Sequence, residues 1–369
     1  MINDWFLEQS DAILAGLIKN SEPKTAGQQP MKKQDAAAGS KAGMDMTKSD
    51  AASKPMSGMK QSSGMPGMGS PQNGAVANGE AKSGMSGMVG MGGMSGKPDI
   101  ADVPFESGLI NGMGRFADGS SAPLATIKIK RGETLRLRLI SGASTYQFRF
   151  QVDGHPLTVI ATDGAPMKPV EVDSLMLSPG ERYDVLLKGT GSESTWIRAV
   201  TLDGKETKAV LLYTDGKTGE LPSSPVKWGP RELKPDQMKS TTAVKLADKP
   251  EEITLTLGGT MRPYAWNIGG QEFPKADPIK LAANKSVRFI MVNPTMMDHP
   301  FHLHGHYFRV LGTPQKLNLT DPVQKDSVNI PAKTTLVLQW ETINPGHWFY
   351  HCHIEWHLAT GMARVIEIA

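Results

Sequence analysis

Near the C-terminus the string HCHIEWHLATGM brings His351, Cys352, His353, His357 and Met362 into one short segment, and this spacing limits what the chain can fold into there. In a strand, successive side chains point to opposite faces, so His351 and His353 look one way while Cys352 looks the other. One extended peptide therefore serves two sites on opposite faces. A cysteine and two histidines with a weak, long axial methionine form the ligand set of a blue, electron-transferring copper. Here His357 and Met362 follow Cys352 at five and ten residues. The second histidine has to come from elsewhere, and the segment HPFHLHGH supplies candidates. There His299 is followed by His302, His304 and His306, and the His302/His304 pair again shares one face of an extended chain. We read His299 as the missing type 1 ligand, with His302, His304, His351 and His353 reaching a copper cluster. A single His-x-His is ordinarily a surface strand, and a lone cysteine is ordinarily a small buried hydrophobe. Both spacings in one chain, at or beside seven of its nine histidines, are what point to metal.

These residues resemble the multicopper oxidases, the family of laccases, cuprous oxidases and copper-resistance proteins, whose final cupredoxin domain carries both motifs. The segment DGHPLTVIATDGAPMKPVEVDSLMLSPGERYDVLL at residues 153–187 is similar to the middle domain of the three-domain members. The resemblance runs from about residue 99 onward and includes the opening residues. It implies that His299, Cys352, His357 and Met362 bind type 1 copper, that His302 binds type 2 copper, and that His304, His351 and His353 bind the type 3 pair. Cys352, His351 and His353 would then carry electrons between the sites. His155, His306 and His347 match family positions that are not ligands. Asp298 and Glu355 flank ligands and are candidates to orient them or relay protons. Six residues past the cysteine, where some members carry an acid, this chain has Leu358.

The family's cluster uses eight histidines in four His-x-His pairs, two of them from the first domain, and this chain has two pairs. It opens on MINDWFLEQSDAILAGL, which looks like the first strand of the middle domain and a short helical stretch. The expectation is that the first domain is absent and that a complete cluster needs a separate chain or a longer parent protein. Asp4, Glu8 and Asp11 stand where an export signal would have a basic start and an apolar core, so no signal peptide is expected. The resemblance itself implies a periplasmic or extracellular protein.

A chain of 369 residues usually exceeds one hydrophobic core. Its net charge of +3, with signs mixed, gives no basic stripe, so nucleic acid is not an expected partner. No apolar run of about 18 residues exists, which argues against a transmembrane helix and a membrane partner. One cysteine excludes an intramolecular disulfide.

Residues 20–98, dominated by Gly, Ser, Ala, Lys and Met with no aromatic residue, lack the material for a packed core and read as a disordered insert. Eleven of the chain's 21 methionines fall there, and Met85, Met88, Met91 and Met94 recur every third residue. Thioethers are soft ligands that select Cu(I), and a flexible Gly/Ser backbone lets several wrap one ion. From residue 99 the pattern turns to β. Leu135, Leu137 and Leu139 alternate with Arg136 and Arg138, and Tyr146, Phe148, Phe150 and Val152 alternate after them. The expected fold is all-β: two cupredoxin-like Greek-key sandwiches, a middle one over 99–215 with residues 1–19 and a copper-binding one over 251–369. A Pro/Lys-rich linker over 216–250 joins them. The expected function is one-electron oxidation of a reducing substrate, cuprous ion ahead of phenols, coupled to reduction of dioxygen to water. The alternative is a non-enzymatic copper protein, or a remnant without oxidase activity.

Overall fold

The computed structural model describes residues 2–5, 103, 107–114, 120–191, 193–216, 221 and 223–369. The expected insert over 20–98, with Met85, Met88, Met91 and Met94, lies outside the described residues. Strands dominate, as the alternating patterns require. In Thr134–Ile140 the arginines lie toward solvent and Leu139 is buried, whereas Phe148–Val152 and its flanking Tyr146 are buried on both faces. Among the described residues no helix is long and apolar enough to cross a membrane.

Two sandwiches result. In the first, a five-stranded sheet runs in the order Thr126–Ile129, Glu206–Tyr213, Thr195–Thr201, Phe148–Val152, Ser174–Leu177. It faces a four-stranded sheet of Thr134–Ile140, Arg182–Lys188, Leu157–Thr162 and Ala165–Val172. Their inner faces share one core, with Phe148, Leu157, Leu175 and Val185 all fully buried. The opening strand Ile2–Trp5 pairs antiparallel with Ser107–Ile110. In the second sandwich, a sheet built on Glu251–Met261, Ser286–Asn293, Thr334–Glu341 and Phe308–Thr313 packs on a five-stranded sheet. That second sheet runs Ile279–Leu281, Ala363–Ile368, Gly346–Cys352, His299–Leu303, Ser327–Ile330, so both histidine motifs lie on adjacent central strands.

The segment expected to be a linker is pinned between residues 231 and 240. Leu233 is buried in the first core, Asp173 accepts from the Arg231 guanidinium at 2.5 Å, and the Ser240 N–H donates to the Asp321 carbonyl at 2.8 Å.

A buried ionic contact joins the sandwiches. Asp163 and Gly164 both have positive φ, 48° and 83°, which is the two-residue hairpin turn that an Asp-Gly pair favours. That turn drives the Asp163 carboxylate into the second sandwich. It accepts from the N–H groups of Asp326 and Ser327 at 3.3 and 3.1 Å and lies 3.2 Å from the Lys325 ammonium. Lys325 also reaches Glu181 at 3.3 Å and donates to the Thr162 hydroxyl at 2.6 Å, and its side chain has no exposed surface. Burial pushes the ammonium down, but Asp163 together with Tyr183 and Glu181 outweighs it and holds Lys325 above its ordinary value. Burial also pushes the Glu181 carboxyl up.

Removing one partner of such a contact strands the other charges in a dry interior. Lys325→Met should lower unfolding free energy by about 3–5 kcal/mol, read by urea denaturation. A loss under about 1 kcal/mol, the scale of an exposed pair, would show that the ammonium is not the counter-charge the carboxylates need.

Candidate metal centre

The Gly346–Cys352 strand runs antiparallel to His299–Leu303, with His302 opposite His351 and Phe301 opposite Cys352. This register does what the spacing implied. It lines up the histidines on one face and carries Cys352 on the other.

On the Cys352 face, the short helix Glu355–Ala359 turns the chain back so that His357 returns beside the cysteine. The helix start is tied to the first sandwich by the Glu355 N–H, which donates to the Ser144 carbonyl at 2.9 Å. Cys352 Sγ lies 3.8 Å from His299 Nδ1 and 3.7 Å from His357 Nδ1, and the two Nδ1 atoms are 3.1 Å apart. All three side chains belong to residues with no exposed surface. His299 Nε2 lies 2.9 Å from the Thr295 hydroxyl, and that hydroxyl donates to Asn293 Oδ1 at 2.7 Å. The Thr295 oxygen therefore accepts from Nε2–H, which leaves the His299 Nδ1 lone pair aimed at the cysteine. Burial, with His357 beside it, pushes the His299 imidazole well below its ordinary pKa, so the ring is neutral.

Lone pairs converging at this range want a cation between them. A trigonal first-row ion with bonds of about 2.0 Å to nitrogen and 2.3 Å to sulfur sets donor edges of roughly 3.5 and 3.7 Å. The observed triangle fits such an ion. The two imidazoles, the thiolate-capable cysteine and the apolar enclosure are the chemistry that suits copper. Met362 is fully buried in the same core. Its N–H donates to the His357 carbonyl at 2.9 Å and its carbonyl accepts from the Cys352 N–H at 3.0 Å.

On the opposite face, His302, His304, His351 and His353 form a ring of imidazoles with neighbouring centroids 4.8–5.9 Å apart. His304 Nε2 faces His351 Nε2 at 3.1 Å. His351 Nδ1 is 2.8 Å from the Cys352 carbonyl, and His302 Nδ1 is 2.9 Å from the Asp326 carbonyl, so each ring holds its Nδ1 proton on a carbonyl and leaves Nε2 bare. Burial pushes His351 down to about 4 and lowers His304 and His353, which keeps these rings neutral and able to ligate at physiological pH. His304 is exposed and His351 is buried.

The remaining histidines sit elsewhere. His155 is held between the Asp153 carbonyl and the Tyr213 hydroxyl, His306 packs between Trp340 and Trp348, and His347 is exposed. Asp298 is consumed by three donors, Gln147, Asn329 and the Ala332 N–H at 2.7–2.8 Å, while Glu355 is exposed.

Sequence reasoning missed the groups that hold the ligands. Trp266 stacks on His357 with centroids 3.9 Å apart and meets the edge of His299 at 5.2 Å. Gly180, at φ 82°, lies so close to His353 that a Cβ there would sit 2.5 Å from the ring. A Pro-Gly pair such as Pro179-Gly180 signals a turn by its local chemistry, but nothing local points to this contact. Gly180→Ala should cost about 1–2 kcal/mol from the left-handed backbone alone. It should also shift the His353 ring signals in a histidine NMR spectrum while those of His299 and His357 stay in place. Unmoved His353 signals would contradict the contact.

Comparison with known proteins gives two matches to family models described as multicopper oxidase, over residues 87–215 and 246–369. The chain is 32% identical over 274 residues to the multicopper oxidase MmcO of Mycobacterium tuberculosis, covering 73% of this chain and 52% of that protein. It is also 32% identical over 309 residues to laccase-1 of Pleurotus ostreatus, covering 73% of this chain and 58% of that one. The chain thus spans little more than half the length of the relatives it matches. Among solved structures, the laccase from Botrytis aclada superposes with a TM-score of 0.64 at 25% identity, over 72% of this chain and 59% of that one. Fet3p, a multicopper oxidase that functions in iron import, superposes with a TM-score of 0.63 at 19% identity, over 73% of this chain and 60% of that one.

Proposed function

This chain belongs to the multicopper oxidase family, and from that premise we propose that it is a copper-dependent oxidoreductase that takes single electrons from a reducing substrate and passes them toward dioxygen. The observation that carries this reading is the convergence of His299 Nδ1, Cys352 Sγ and His357 Nδ1, with the neighbouring residues His351 and His353 aimed into the second site. We assign His299, Cys352, His357 and Met362 to type 1 copper, His302 to type 2, and His304, His351 and His353 to the type 3 pair. Bound copper would supply one-electron redox chemistry, four electrons and four protons converting one dioxygen to two waters.

The chain's own residues supply the rest. Cys352 is a covalent neighbour of both His351 and His353, so the route between the two ligand sets is a single stretch of backbone. The carbonyl of Cys352 also accepts from His351 Nδ1, which adds a second, hydrogen-bonded contact along that route. Trp266 and the surrounding core exclude water from the type 1 ligands and keep His299 neutral. His302, His304, His351 and His353 are half of the eight histidines a cluster of this family uses. The others come, on this reading, from a further cupredoxin domain on a separate chain or in a longer parent protein, and the exposed side of His304 is where it would seat.

We place cuprous ion ahead of phenols as the donor because of the methionine repeat at Met85, Met88, Met91 and Met94. A periplasmic or extracellular setting goes with this reading. The half-set of cluster histidines also favours a second one, an electron-transfer or copper-storage protein that does not turn over oxygen unaided.

Copper stoichiometry with oxygen uptake separates the two. About four coppers per chain with turnover on a cuprous or phenolic donor would support the oxidase, and one copper without uptake would support the second reading. In either case the copper-loaded protein should show an intense blue thiolate-to-copper band that Cys352→Ser abolishes. A colourless loaded protein would remove the type 1 assignment. Met362→Leu should raise the reduction potential of that centre, and an unchanged potential would take Met362 out of the ligand set.

A further inference from the structure

His302 faces a segment that the other sandwich holds in place. Its strand pairs with Ser327–Ile330, which sets His302 directly opposite Ser327. His302 Nδ1 lies 2.9 Å from the Asp326 carbonyl and 3.1 Å from the Ser327 hydroxyl. That hydroxyl donates to Asp326 Oδ1 at 2.9 Å, so its oxygen is left to accept the Nδ1 proton. The Asp326 carboxylate is in turn gripped from across the interface, where Arg182 Nη1 and Nη2 donate to its two oxygens at 2.5 and 2.7 Å. Arg182 is anchored by its own backbone, because its N–H donates to Asp163 Oδ1 at 2.9 Å and its Nη1 reaches the Gly180 carbonyl at 3.2 Å. Asp163 closes the loop by accepting from the N–H groups of Asp326 and Ser327.

Every polar group that orients the His302 ring therefore belongs to a peptide whose position is fixed by residues 163 and 182 of the first sandwich. A bidentate guanidinium–carboxylate pair is directional as well as strong, so it fixes the rotation of Asp326 where a point charge would leave it free.

We propose that Arg182, acting through Asp326 and Ser327, is a positioning residue for His302: it locks the imidazole as the Nδ1–H tautomer with Nε2 bare, so that the first sandwich, which contributes no ligand, sets the aim of one. Groups of this kind, behind a ligating histidine, typically govern 10–100-fold in metal affinity. The inference rests on the reading of His302 as a metal ligand, and the test keeps the two apart.

The full chain, copper-free and labelled with nitrogen-15 at histidine, is compared with Arg182→Gln and Ser327→Ala by NMR, and each is then titrated with Zn(II) as a diamagnetic probe that takes neutral imidazole. In the unsubstituted protein His302 should be a single Nδ1–H tautomer. Both variants should gain the Nε2–H form at His302 and bind Zn(II) there about 10–100-fold more weakly, with the His299 and His351 signals unmoved. Loss of fold would move all of these together. Should Arg182→Gln fail to fold, Ser327→Ala, which leaves the ion pairs intact, decides on the same criteria. A His302 that keeps one tautomer and its Zn(II) affinity in the folded variants would overturn the proposal. If the variants change the tautomer but Zn(II) never perturbs His302 in the parent protein, the positioning stands and the ligand assignment falls.

Discussion

The pairing of His299–Leu303 with Gly346–Cys352 is the constraint on which the rest of the site depends. Its register sets His302 against His351 and Phe301 against Cys352. Because side chains alternate with a period of two, a slip of one residue would send every ligand to the wrong face, exchanging a thiol for an imidazole at both sites. The flanking strands oppose such a slip. Ser327–Ile330 pairs with one side, Ala363–Ile368 with the other, and the fully buried Phe301 and Tyr350 would have to trade places with polar neighbours. The converging lone pairs are thus held by backbone ladders and core packing. The cost of bringing His299, Cys352 and His357 together is met by folding of the sandwich.

The interface between sandwiches works on a different balance. Burying Lys325 with Asp163 and Glu181 costs several kcal/mol of desolvation per ion, which their attraction repays only with good geometry. An apolar replacement would hold two sheets together as well. What it would not supply is direction. Asp163 accepts from two backbone N–H groups of the opposite strand, and Arg182 forks onto Asp326, so the sandwiches meet in one rotational setting. The same contacts lie directly behind His302. Docking of the domains and orientation of the His302 ring are one set of hydrogen bonds.

Much of the site was readable because it is local. The alternation in HCH and HPFHLH, with the pleat of a strand, assigns faces without any knowledge of the fold. The all-β class followed from the Leu/Arg and aromatic alternations for the same reason. What was not readable depends on meetings between distant residues. Trp266 is one aromatic residue in a strand and becomes the wall of the candidate metal site only because the sheet brings it onto His357. Asp163-Gly164 announces a hairpin turn by local chemistry, but nothing local says that its carboxylate meets Lys325. The stretch over 216–250 reads as a linker because its strand pattern is weak, yet beside the local turn at residues 234–238 its hydrogen bonds run to residues 168, 173 and 321.

The two faces of the Gly346–Cys352 strand differ in exposure, and the difference matches what each would have to do. His299, Cys352, His357 and Met362 have no exposed surface, so a cation held there would exchange electrons through protein, out of contact with bulk water. A low-polarity enclosure around a thiolate also sets redox potential, and Trp266, stacked on His357, is part of that wall. On the other face His351 is buried while His304 is exposed, within one ring of imidazoles. On the proposed oxidase reading dioxygen has to reach that face, so some opening is required, yet an imidazole pair at 3.1 Å left open to solvent would bind protons in competition with metal. Burial of His351 already biases that competition, pushing its proton affinity down to about 4. His304, less enclosed, is lowered for the same reason, burial first and His302 second. A cover seated on His304 would extend to it the desolvation that His351 already has, strengthening its preference for metal over protons.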